Sequence, residues 1–116
     1  MNFERSSGIL FHPTSLPSPY GIGTLGKEAY KFVDFLKKAS QKLWQVFPLG
    51  PTGYGDSPYQ CFSAFAGNPL LIDLDLLIES NLLSKNAIAC TEIDNEKIDF
   101  GQLINFKLPL LRESFN

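Results

Sequence analysis

Trp44–Pro69, WQVFPLGPTGYGDSPYQCFSAFAGNP, joins a short apolar run to a long polar loop. The run, Trp44-Gln45-Val46-Phe47-Pro48-Leu49, reads as a buried strand. The loop that follows, 50–69, is dense in Gly, Pro, Tyr, Ser and Asp, residues of turns rather than of ladders. Loops beyond about 12–15 residues without regular structure are uncommon in compact domains, and are usually functional or disordered. Tyr54, Tyr59, Phe62 and Phe65 weigh against disorder, because disordered segments are poor in aromatic side chains. The sequence therefore places its site on loop 50–69.

Upstream, Gly8-Ile9-Leu10-Phe11-His12 is a second apolar run, stopped by Pro13. It reads as a strand over 8–12, covered on both faces as parallel strands are. Pro13 to Gly21 is a turn-rich loop kept out of helix and sheet by three prolines. Leu25, Ala29, Phe32, Val33, Leu36 and Ala39 then recur at helical spacing, which predicts a helix over 26–40 with Thr24 as its N-cap. Strand 8–12, helix 26–40 and strand 43–49 make a right-handed βαβ unit with parallel strands, so the fold class is α/β. Ligands of such units bind beyond the carboxyl ends of the strands. Loops 12–24 and 50–69 both leave carboxyl ends and should lie side by side.

Downstream, Asp73 or Asp75 should open a short helix that stops near Ser80-Asn81, since Asn tolerates the left-handed conformation of helix ends. Residues 84–97 are polar and irregular. Leu103, Phe106, Leu110 and Leu111 mark a helix over 101–115, which Pro109 should kink or restart. The last residues, Glu113 to Asn116, carry no capping glycine and read as cut rather than finished.

A chain of 116 residues suits one domain, and 44% hydrophobic with 13% aromatic content supplies a core. A formal charge of -2 with no basic stripe argues against nucleic-acid binding. Lys37, Lys38 and Lys42 cluster where they complement the end of a helix dipole. Cys61 and Cys90 lack metal-ligand spacing and read as reduced thiols of a cytoplasmic protein. No signal peptide is visible, and no run approaches the roughly 18–20 apolar residues of a membrane helix.

Several patterns carry possible chemistry. Gly21-Ile22-Gly23-Thr24-Leu25-Gly26 matches the dinucleotide motif G-x-G-x-x-G. Its glycines do not follow the first strand directly, however, and the second strand lacks the ribose-binding acid at its end. A turn and helix entry is the better reading. Tyr54, Asp56, Ser57, Pro58, Tyr59 and Gln60 offer the mixture a sugar needs. Aromatic rings suit the apolar faces of a pyranose, and carboxylate, hydroxyl and amide groups suit its hydroxyl rim. A structural Ω-loop with inward tyrosines fits the same composition. His12, the one histidine, ends the first strand on the expected site face, either as a ligand contact or as a structural residue. Asp73 and Asp75 read as helix-start acids, and no paired-carboxylate arrangement for sugar chemistry is found.

His12-Pro13-Thr14-Ser15-Leu16-Pro17, Tyr20-Gly21-Ile22-Gly23, the run Trp44 to Gln60, and Ser63-Ala64-Phe65-Ala66-Gly67-Asn68-Pro69 closely resemble the start of the 4-α-glucanotransferases, or amylomaltases. The likeness runs from Arg5 over nearly the whole chain, with a gap at 84–97. It implies the N-terminal part of an incomplete (β/α)8 TIM barrel. It also implies transfer of α-1,4-glucan segments with retention, through a covalent glycosyl-enzyme whose carboxylates lie downstream. Tyr59 matches the family tyrosine packed against the sugar next to the scissile bond. Asp56, Ser57 and Pro58 share its loop, and Tyr54 matches an outlying glucan contact. The expected partner is an α-1,4-glucan or maltooligosaccharide, with no cofactor or metal. A non-enzymatic maltooligosaccharide-binding fragment is the rival reading, and the isolated chain is expected to be inactive and to aggregate or stay partly unfolded.

Overall fold

The computed structural model describes residues 4–51, 57, 59, 63, 65–88 and 97–116. Strand β1 (Gly8–Leu10), helix α1 (Lys27–Lys38) and strand β2 (Leu43–Gln45) come first, followed by helix α2 (Leu74–Glu79) and helix α3 (Phe100–Phe115). Single 3-10 turns occupy Pro13–Ser15, Pro69–Leu71 and Lys85–Ile88.

β1 and β2 pair in parallel, with Gly8 opposite Leu43, Ile9 opposite Trp44 and Leu10 opposite Gln45. The strands are shorter than the expected 8–12 and 43–49, although the Phe11 N–H still reaches the Gln45 carbonyl at 3.0 Å. Beyond that bond each chain leaves the ladder, at Pro13 on one side and Pro48 on the other, residues that cannot donate to it.

The strands are not covered on both faces as the apolar runs suggested. Ile9 and Trp44 are partly buried, while Leu10 and Leu43 stay about half exposed, at 52% and 47%. Side chains alternate across a strand, so α1 covers one face of this two-stranded sheet and leaves the other open. The covered face is aromatic. Phe32 of α1 packs on Phe11 at 5.0 Å and edge-on to Trp44 at 4.8 Å between ring centroids. The Trp44 indole N–H donates to the Phe11 carbonyl at 2.6 Å, satisfying the one polar atom of that ring.

Thr24 does not cap α1. The N-cap is Gly26, and the Thr24 hydroxyl instead donates to Asp73 at 2.5 Å. At the other end Ser40 takes the left-handed conformation (φ 59°). The Gln41 N–H reaches the Leu36 carbonyl and the Ser40 N–H the Lys37 carbonyl, the paired bonds of a Schellman end. Asn81 (φ 59°) ends α2 in the same way, through Leu82 to Leu77 and Asn81 to Ile78.

The second half packs by the helical stripes. Leu103 of α3 joins Ile22 and Leu70 in one apolar cluster, and Leu110 joins Leu74 and Leu83 in another. Asp99 caps α3 by accepting from the Gln102 N–H at 3.1 Å. The helix is continuous through Pro109 rather than restarted there. Losing one internal N–H is offset where neighbours on both sides are buried, as Lys107 and Leu110 are. Among the described residues no helix is long and apolar enough to cross a membrane.

Candidate functional site

Where β1 ends, His12 turns the chain into the Pro13–Ser15 turn and projects toward the exit of β2. Its Nδ1 accepts the Phe47 N–H at 3.3 Å. That bond fixes the proton of the neutral ring on Nε2. Burial pushes the His12 pKa below its ordinary value, so the ring stays neutral and keeps Nδ1 as an acceptor. His12 thus ties together the exits of β1 and β2.

The contact continues outward through rings. His12 lies 5.4 Å from Phe47, and Phe47 lies 5.7 Å from Tyr59, both pairs tilted. Tyr59 nevertheless remains 69% exposed. The Ser57 hydroxyl accepts the Tyr59 N–H at 3.3 Å, a local turn that helps to orient the tyrosine backbone. Tyr59 is therefore backed on one side by Phe47 and open on the other. Of the expected sugar-binding residues, the structure brings His12, Ser57 and Tyr59 to this place. Tyr54, Asp56, Pro58 and Gln60 lie outside the described residues, as do Cys61 and Cys90. Phe47 joins His12 to Tyr59, a role the sequence reading missed by assigning it to strand core. No local pattern in the sequence marked that role.

The acids outside this loop have structural work. Asp73 is the N-cap of α2, accepting from the Leu76 N–H at 2.9 Å and from Thr24. Asp75 accepts the Tyr20 phenol at 2.6 Å. Burial, and then that bond, push the Tyr20 pKa up to about 12. Neither carboxylate is free to act in pair chemistry. Among the described residues no cluster of His, Cys, Asp or Glu could hold a metal.

The glycine motif finds its explanation in packing. A Cβ on Gly23 would overlap the Pro13 carbonyl, and one on Gly26 would overlap the Asp73 carboxylate. Gly21 takes a positive φ of 83° at the turn. The space against the amino end of α1, where a pyrophosphate would sit, holds Asp73 instead, a charge that the helix dipole itself favours. A cleft of about 500 Å³ between α1 and β2, lined by Val33, Leu36, Lys37 and Trp44 among others, lies apart from the His12–Tyr59 group and presents no acid.

A family model described as 4-alpha-glucanotransferase matches residues 11–116. The 4-alpha-glucanotransferase of Thermus thermophilus is 53% identical over 115 residues, covering 99% of this chain and 22% of that one. The Clostridium butyricum 4-alpha-glucanotransferase is 55% identical over 106 residues, covering 90% of this chain and 22% of its own. Among solved structures, an amylomaltase from Streptococcus agalactiae in complex with acarbose superposes with a TM-score of 0.90 at 48% identity, covering 97% of this chain and 23% of that one. The chain thus spans about 22% of the length of the curated relatives it matches. On the match over residues 11–116 and these identities, the chain belongs to the 4-alpha-glucanotransferase family.

Proposed function

We propose that residues 1–116 form the N-terminal segment of a glucanotransferase (β/α)8 barrel and supply part of its donor-sugar platform. The open Leu10 and Leu43 face supports this reading. A barrel strand is covered by its helix outside and by layered side chains inside, and among the described residues only the first cover is present. The observation that carries the sugar assignment is the exposed Tyr59 ring, backed by Phe47 and His12 at the carboxyl ends of both strands.

In this reading an α-1,4-glucan lays the apolar face of one sugar on Tyr59. Tyr54, Asp56, Ser57, Pro58, Gln60 and His12 complete the holding surface. Transfer with retention needs two carboxyl groups about 5–5.5 Å apart, one as nucleophile and one as acid and base. In this reading those groups are not Asp73 and Asp75, which cap α2 and hold the Tyr20 phenol, but come from other strands of the barrel. The platform contributes uniform binding of the donor sugar, not proton transfer. Its compartment in this reading is the cytoplasm.

The test is a chimaera in which this chain replaces the matching segment of the Thermus thermophilus relative. Glucose release from maltotriose should return in the chimaera and be absent from the 116-residue chain alone. A folded chimaera without transfer would overturn the assignment, as would transfer by the chain alone.

A further inference from the structure

Lys107 sits midway along α3 and is completely buried, one turn from Leu103 on one side and close to Leu110 on the other. Its Nζ donates to the Leu70 carbonyl at 2.6 Å. Among the described residues no carboxylate forms an ion pair with it. A buried ammonium without a paired charge is costly, and an apolar side chain of similar volume is commonly tolerated better. Packing alone therefore does not account for a lysine here.

What it grips does account for it. Leu70 lies in the 3-10 turn Pro69–Leu71, directly after loop 50–69, and that turn uses the Asn68 and Pro69 carbonyls for its own bonds. The Leu70 N–H donates to the Asn68 side chain at 3.0 Å. The Asn68 N–H in turn reaches the Leu49 carbonyl, just after β2, at 2.8 Å. The two ends of the tyrosine-bearing loop thus meet at Asn68, and Asn68 is tied through Leu70 to α3.

We propose that Lys107 is a positioning residue that clamps the base of the Tyr59 loop, so that α3 sets the height of the saccharide platform. The proposal rests on the sugar reading of Tyr59 given above. Lys107 touches no substrate; it acts through Leu70, Asn68 and Leu49.

The test uses the complete chimaeric enzyme with Lys107→Met, which keeps the stem and removes the donor. Stacking on Tyr59 holds ground state and transition state alike, so a displaced platform should raise KM for maltotriose and leave kcat unchanged. The expected rise is about fivefold. Exchange of the Asn68 amide should quicken. Asn68→Ala should raise KM similarly, and the double variant no further, because both open one linkage. A Lys107→Met enzyme that melts earlier with KM unmoved would overturn the clamp. So would a KM raised by Tyr59→Ala alone with Asn68 exchange unchanged. Faster Asn68 exchange with KM insensitive to both Lys107→Met and Tyr59→Ala would instead overturn the sugar reading and leave the clamp standing.

Discussion

The Thr24 hydroxyl donates to the Asp73 carboxylate at 2.5 Å, across 49 residues of chain. Asp73 also caps α2 and packs against Gly26 at the start of α1. One carboxylate therefore joins the amino ends of two helices, where both dipoles favour negative charge.

Asp73→Ala should loosen both ends. Loss of the cap costs about 1–2 kcal/mol, and the buried Thr24 hydroxyl left without its acceptor adds about 1 kcal/mol. In native-state exchange of the chimaera, the Leu76 amide should exchange about tenfold faster or more. Thr24→Val should move it far less, because the Leu76 bond survives.

Lys107 gives a pH dependence. Burial lowers its pKa from 10.5 to about 8, partly opposed by the charge of Asp73. Below about pH 8 both folded and unfolded chains hold the proton, and the folded chain bears the full cost of the buried charge. Between about 8 and 10.5 the folded chain has released the proton and the unfolded chain has not, so this cost fades as pH rises. The contribution is at most about 3 kcal/mol. Urea unfolding of the chimaera should show the parent gaining stability relative to Lys107→Met as pH rises from about 8 to 10.5.

Tyr20 titrates in the opposite sense. Its pKa is raised to about 12, first by burial and then by the Asp75 bond, so the folded state keeps a proton that the unfolded state loses near 10. Stability from this contact is present below pH 10 and declines from there to about 12. The phenolate absorbance that Tyr20→Phe removes should appear near pH 12. Its appearance near pH 10 would contradict the Asp75 contact.

Ser40 and Asn81 each end a helix with a left-handed backbone that lacks the usual glycine. Ser40→Gly should stabilise by up to about 1 kcal/mol, since the strain removed exceeds the added chain entropy. Asn81→Gly should give less, because Asn bears that conformation better. Urea midpoints of the two variants in the chimaera check the order.

Much of this was legible in the residues. The period of Leu25 to Ala39 located α1, and the two apolar runs located the parallel pair, because backbone geometry imposes those spacings directly. Proline-rich exits told where the ladder stops only loosely, since a strand ends where its partner also leaves. The burial of the strands was misread because an apolar run reports the preference to be covered, not the presence of a cover. Thr24 was misread as a cap because its partner, Asp73, is far away in sequence. Lys107 and Phe47 gave no local sign, as both act through contacts made only in the folded chain. Of the residues expected to meet sugar, Tyr59 and Ser57 were singled out by loop chemistry, while the His12–Phe47 contact arises only in the folded chain.

The most direct measurement is maltotriose KM in the chimaera carrying Tyr59→Ala. Removing a stacking ring from an open platform should raise KM about tenfold, whereas Tyr59→Phe, which keeps the ring, should stay near the parent. An unchanged KM in Tyr59→Ala, with the enzyme folded and active, would contradict the account of this loop as a saccharide platform.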